Sequence, residues 1–176
     1  MDTPAHGVRF VAGFAELLGT PFTAGANALC WRRHLPGDFA AVIAALGLAP
    51  HPEGGWYRQT WAAEGEGRPV GTCIYFLLRR GERSHWHRVD ATEIWHHYAG
   101  APILLHISAS DEGPATTLTL GPDLASGARP QGIVPVGHWQ AAETTGDWTL
   151  VGCTVSPGFQ FEGFELAAPG FEIPKG

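Results

Sequence analysis

From Leu48 onward, glycine and proline interrupt the chain at intervals of roughly 8 to 12 residues. That spacing excludes long helices and suits many short strands joined by turns. The 24 glycines and 14 prolines in 176 residues serve this pattern. Turn clusters stand at His51-Pro-Glu-Gly-Gly55, 64–69, 79–83, 110–114 and 121–127. Between them lie runs that predict strands at 56–61, 70–78, 85–87, 102–108, 115–120, 148–155 and 159–166. The expected class is all-β, a sandwich or barrel. In the run at 70–78, Cys73, Tyr75 and Leu77 alternate with Ile74, Phe76 and Leu78, and alternation alone leaves open which set faces inward.

One helix is predicted ahead of the strands. Asp38 is a good N-cap, Phe39, Val42, Ile43 and Leu46 recur at helical spacing, and Gly47 sits where a terminating glycine belongs. Residues 1–36 read differently, with small residues, a short helical pattern around 8–18 and an irregular stretch after Thr20. The expected organisation is an N-terminal extension over 1–36 and one compact domain over 37–176. The His51 cluster is read as a turn that needs its glycines, with the role of Glu53 open.

Charge narrows the partners. The net charge of −6 and the single lysine, Lys175, argue against nucleic acid and anionic membranes. No run reaches the roughly 18 apolar residues of a membrane span. Cys30, Cys73 and Cys153 are far apart and form no CxxC. An odd count without a disulfide framework fits a reducing compartment, so a cytoplasmic protein is expected.

The chemistry concentrates at residues 81–100, which hold four of the nine histidines. His85 and His87 are two apart and would share one strand face; Glu93, Trp95 and His97 would share a face of the next strand. Converging imidazoles and a carboxylate suit a metal site or acid/base catalysis. His87 and Glu93 are the candidate catalytic pair. Tyr75, Trp95, His97, Trp139 and Gln140 are candidate ligand contacts. No GxSxG, P-loop, GxGxxG or HExxH is present.

Glu93 and Gly100, followed by Pro135-Val-Gly137, resemble the two motifs of the cupin superfamily. The segments His51-Pro-Glu-Gly-Gly, Ile74-Tyr-Phe-Leu-Leu, Trp86-His-Arg-Val, Glu93-Ile-Trp-His and Gly152-Cys-Thr-Val-Ser-Pro-Gly-Phe look like its type 5 family, domain of unknown function 985. The resemblance spans about 38–168. It implies a double-stranded β-helix, or jelly-roll barrel, in a homodimer that binds a small-molecule ligand. It also implies a metal set of His85, His87, Glu93 and Gln140. One divalent transition metal and no metal stand as equal alternatives. Five residues separate His87 from Glu93 where the general pattern has three or four, and Gln140 stands where that pattern has histidine. Three activities stay open: an epimerase or isomerase acting on a polar, carbohydrate-type metabolite, a metal-dependent oxygenase or lyase, and a non-catalytic binding barrel.

Overall fold

The computed structural model describes residues 38–176. The extension expected over 1–36 lies outside the described residues. The predicted helix forms as α1, Phe39–Leu46. Asp38 caps it by accepting from the Ala40 N–H at 3.2 Å, and Gly47 ends it in the left-handed region at φ 62°. Eleven strands follow: β1 Ala49–Pro50, β2 Trp56–Ala62, β3 Thr72–Arg79, β4 Arg83–Val89, β5 Thr92–Gly100, β6 Ile103–Ser108, β7 Thr116–Leu120, β8 Gln131–Val134, β9 Trp139–Thr144, β10 Trp148–Ser156 and β11 Phe164–Leu166.

The antiparallel pairings are nested. β6 pairs with β7, β5 with β8, β4 with β9, and β3 with β10. This is one long hairpin folded at the β6–β7 turn. Lateral pairing of β10 with β5 and of β9 with β6 rolls the hairpin up. The result is two sheets, ordered β1-β2-β3-β10-β5-β8 and β11-β4-β9-β6-β7.

The main core fills the space between the sheets. Phe76, Leu78, Trp95, Val134, Val151 and Cys153 come from one sheet, and Ile103, Leu105, Ile107, Leu120 and Ala142 from the other. This settles the faces of β3. Ile74, Phe76 and Leu78 point inward, while Tyr75 and Leu77 pack outside, in the cluster that holds Val42 of α1. The helix therefore covers the outer face of the first sheet and leaves the interior to the strands. The outer face of the second sheet is covered by the C-terminal segment, with Ile173 and Phe171 on Trp86, Trp139 and Ala141.

The strand expected over 159–166 is corrected. Residues Phe161–Gly163 form a 3-10 turn, and only Phe164–Leu166 pair, against β4. Three phenylalanines in six residues give no strict alternation. Their rings pack on one another, at centroid distances of 5.1 to 6.3 Å, instead of lying on a pleated surface.

Candidate functional site

The site begins in the turn between β1 and β2. His51 and Gly55 close it through backbone bonds, and Gly54 and Gly55 take φ of 105° and 72°. The Glu53 carbonyl accepts from the His85 N–H at 2.8 Å, which fastens the turn to β4. Glu53 is thereby carried into the barrel, with only 8% of its surface exposed. The role left open in the sequence is thus a buried carboxyl. The turn leaves no room for a side chain at Gly54, because a Cβ there would lie 2.2 Å from the Arg83 carbonyl oxygen. Gly54→Ala is expected to cost about 2 kcal/mol through left-handed strain and displacement of this turn, read as a lowered urea midpoint.

A bulge in β4 decides which neighbouring residues face the same way. Ser84 pairs with Ala142 and His87 with Gln140, so His85 and Trp86 together oppose Ala141. The extra residue shifts the alternation. Ser84 and His87 both face the interior, and Trp86 goes to the outer cluster. The shared face expected for His85 and His87 is therefore corrected. The His85 ring reaches outward, its Nε2 at 3.0 Å from the Ala168 carbonyl. Its contribution to the site is through the backbone: its carbonyl accepts from His87 Nδ1 at 2.8 Å.

These bonds fix proton positions. A carbonyl only accepts, so His87 Nδ1 carries hydrogen and, in the neutral ring, Nε2 presents a lone pair. His51 Nδ1 accepts from the Glu53 N–H at 3.3 Å. Both bare nitrogens face the same carboxyl oxygen: Glu53 Oε2 lies 3.3 Å from His87 Nε2 and 3.4 Å from His51 Nδ1. Ser84 donates to the other oxygen at 2.9 Å. Burial pushes the Glu53 carboxyl up to about 7, against the opposing pull of His51 and the Ser84 bond. Burial lowers the pKa of His87 and of His51.

Glu93 enters from β5. Gln140 donates to it at 2.6 Å, and the Gln140 oxygen accepts from Trp95 Nε1 at 2.8 Å. Burial raises the Glu93 carboxyl, His87 opposes, and Glu53 adds to the rise. The Cys153 thiol, fully buried beside Glu93, is pushed well above its ordinary range, first by burial. Above these groups opens a cavity of about 280 Å³. Ile74, Phe76, Val89 and Val155 form its apolar wall, Tyr57, Gln59 and Thr72 add polar edges, and Phe159, Phe161 and Phe164 complete the lining.

Of the expected site residues, His87 and Glu93 line this cavity. Gln140 and Trp95 stand directly behind Glu93 as its hydrogen-bonded support. Three expected ligand contacts lie away from this cavity. Tyr75 faces outward, over Tyr98 and under Arg58. Trp139 packs outside, between Phe171 at 5.2 Å and the Arg88 guanidinium at 4.7 Å. His97 lies four residues beyond Glu93, about 13 Å along a strand, and binds the Ala101 carbonyl at 3.1 Å.

The expected metal set does not assemble either. His85 is turned away. The Gln140 oxygen is held by the Trp95 indole, so the amide presents its NH₂ group to Glu93, and NH₂ is no metal ligand. Among the described residues, no group of three or more His, Cys, Asp or Glu is arranged to hold a metal. No helix among them is long and apolar enough to cross a membrane.

The nested strand pairs define a double-stranded β-helix protein with a cavity lined by carboxyl and imidazole groups. The chain belongs to the family described as cupin superfamily (DUF985), which it matches over residues 40–167. It is similar to a crystallographically determined protein of Shewanella oneidensis, at 43% identity and TM-score 0.71, over 76% of this chain and 86% of that one. A hypothetical protein of Leishmania major is 30% identical with TM-score 0.66, over 73% and 86%. Oxalate decarboxylase of Bacillus subtilis is 11% identical with TM-score 0.52, over 66% of this chain and 29% of that one, a likeness of fold alone. None of the curated proteins matches.

Proposed function

We propose that the cavity takes a small organic molecule and that Glu53 and His87 exchange a proton with it, as an isomerase or epimerase requires. The observation behind this reading is the convergence of two unprotonated imidazole nitrogens on Glu53 Oε2, 3.3 and 3.4 Å away, at the floor of the cavity. A carboxyl poised near neutral pH is an effective general base, and the same group is the acid once it holds the proton. Glu53 removes hydrogen from the carbon beside a carbonyl or imine and returns it at the neighbouring carbon or the opposite face. His87 is the adjacent site for that proton. Nothing is gained or lost over the cycle. Glu53 thus takes the partner role expected of Glu93, and Glu93 sets the charge beside it.

The carbohydrate-type metabolite expected from the sequence narrows accordingly. A polyol would find few partners beyond Tyr57, Gln59 and Thr72 on a wall that is mostly apolar. A molecule with one polar head and an apolar body suits it better.

The test is incubation with a panel of small carbonyl and imine compounds in D₂O, followed by NMR. Deuterium should enter at the activated carbon, and this exchange should be lost in Glu53→Gln and His87→Ala. A compound that saturates the cavity and never exchanges would make the protein a binding barrel and overturn the catalytic reading. The homodimer implied by the family is likewise a proposal. Sedimentation as a lone 18.8 kDa species would contradict it.

A further inference from the structure

We infer that the ligand of this cavity carries a positively charged nitrogen, an amine or amidine, seated on Glu53 and the two imidazoles with its apolar body among the phenylalanines. This rests on the reading above that the cavity takes a small molecule.

The floor is made of acceptors. Glu53 Oε2 and His87 Nε2 present lone pairs 3.3 Å apart, His51 Nδ1 beside them carries no hydrogen and accepts from the Glu53 N–H, and all three residues line the cavity. An ammonium brings three N–H donors to such a floor, a hydroxyl brings one, and a carboxylate brings none. Charge points the same way. Glu53 and Glu93 share the cavity, and no lysine or arginine is among the described residues that line it. Arg68, beside the Phe159 segment, is already committed to Asp90 through two bonds of 2.9 and 2.6 Å and to the Gly158 carbonyl. An entering anion would meet two carboxyl groups and no cationic side chain among the described residues. The lining adds Tyr57 and the mutually packed rings of Phe159, Phe161 and Phe164, whose faces attract cations.

A cation would also complete the acid/base device. The titratable groups around Glu53 are His51 from its own turn, His87 from β4, Glu93 from β5 and Cys153 from β10. The two carboxyls oppose each other's ionisation. A bound positive charge lets both ionise, releases a proton to solvent and leaves one carboxylate free to act as base. The ligand's own charge would then switch on the group that acts on it.

Three probes with one ring and different heads test this: benzylamine, benzyl alcohol and benzoate. They are titrated calorimetrically at neutral pH with EDTA present, so that no stray divalent cation supplies the charge. Benzylamine should bind about tenfold more tightly than benzyl alcohol, and benzoate should not bind. Its binding should release protons, seen as an enthalpy that varies with the ionisation enthalpy of the buffer. Glu53→Gln, shown by circular dichroism to be folded, should lose the preference for benzylamine over benzyl alcohol. Equal binding of the amine and the alcohol, or stronger binding of benzoate, would overturn the charge inference and leave the small-molecule reading standing. Failure of all three to bind would overturn both. Zinc that binds stoichiometrically without EDTA and displaces benzylamine would make the floor a metal site and overturn the inference.

Discussion

Glu53→Gln should be more stable than the wild type at about pH 8, by about 3 kcal/mol, and the advantage should fade on acidification toward pH 4.5. Burial raises the Glu53 carboxyl from 4.5 to about 7 in the folded protein. Between those values the folded state holds a proton that the unfolded state has released, so folding becomes less favourable as pH rises. Below 4.5 both states are protonated and the penalty vanishes; above 7 it is complete. A shift of this size is worth about 3 kcal/mol. Glutamine copies the protonated carboxyl in shape and offers an N–H to the bare Nε2 of His87, so its stability carries no such penalty. The two imidazoles act in the opposite sense, since their lowered pKa values make folding costlier as pH falls. In the variant His51 also loses the opposing pull of Glu53, so the difference between the two curves reports Glu53 together with this interaction. Urea midpoints of the two proteins across this range check it. Parallel pH curves would mean that Glu53 stays ionised in the folded state, and would remove the acid/base reading with it.

The barrel was legible in the sequence because turn residues act locally. Asp38, Gly47 and the glycine clusters each specify a backbone conformation without reference to anything distant. The strand assignments from 56 to 155 follow from these signals and from β-branched and aromatic runs. His87 and Glu93 were legible for the same reason, as polar groups spaced along strands that bury one face. The errors have two physical sources. Period-two reasoning assumes an unbroken pleat, and the bulge at His85 and Trp86 breaks it within the stretch that mattered most. One added residue moves His85 out of the site and brings Ser84 into it. The second source is distance along the chain. Tyr75 and Trp139 belong to strands whose outer faces are covered by α1 and by the C-terminal segment, and no local pattern says which face a later segment will cover. Glu53 was hidden for a related reason. Its turn reads as solvent-exposed geometry until the His85 N–H, 32 positions on, pins it beneath the barrel wall. The available signal was a lone carboxylate between a histidine and two glycines, a tight turn with a charge placed on it.

Trp95→Ala should be the most damaging single change, lowering stability by about 4 to 6 kcal/mol, a large share of what a domain of this size possesses. Two losses combine. The indole is 1% exposed and packs edge-on to Phe76 at 5.7 Å, so its removal leaves a cavity at the centre of the core. Its Nε1 also donates to Gln140, a residue with 0% exposure, whose oxygen has no other hydrogen-bond partner among the described residues. Trp95→Phe separates the losses: it keeps most of the ring packing and should cost only about 1 to 3 kcal/mol, chiefly for the orphaned oxygen. The double variant Trp95→Phe with Gln140→Leu then discriminates between a supporting chain and plain packing. If Trp95 acts on Glu93 through Gln140, removing the amide also removes the orphan, and the double variant should be less destabilised than the sum of the two single changes. Glu93, already biased toward its protonated form by burial, can lose the Gln140 donor without stranding a full charge. Additive urea midpoints would mean that the indole contributes packing alone, and that the Trp95–Gln140–Glu93 line is a row of neighbours with no energetic coupling.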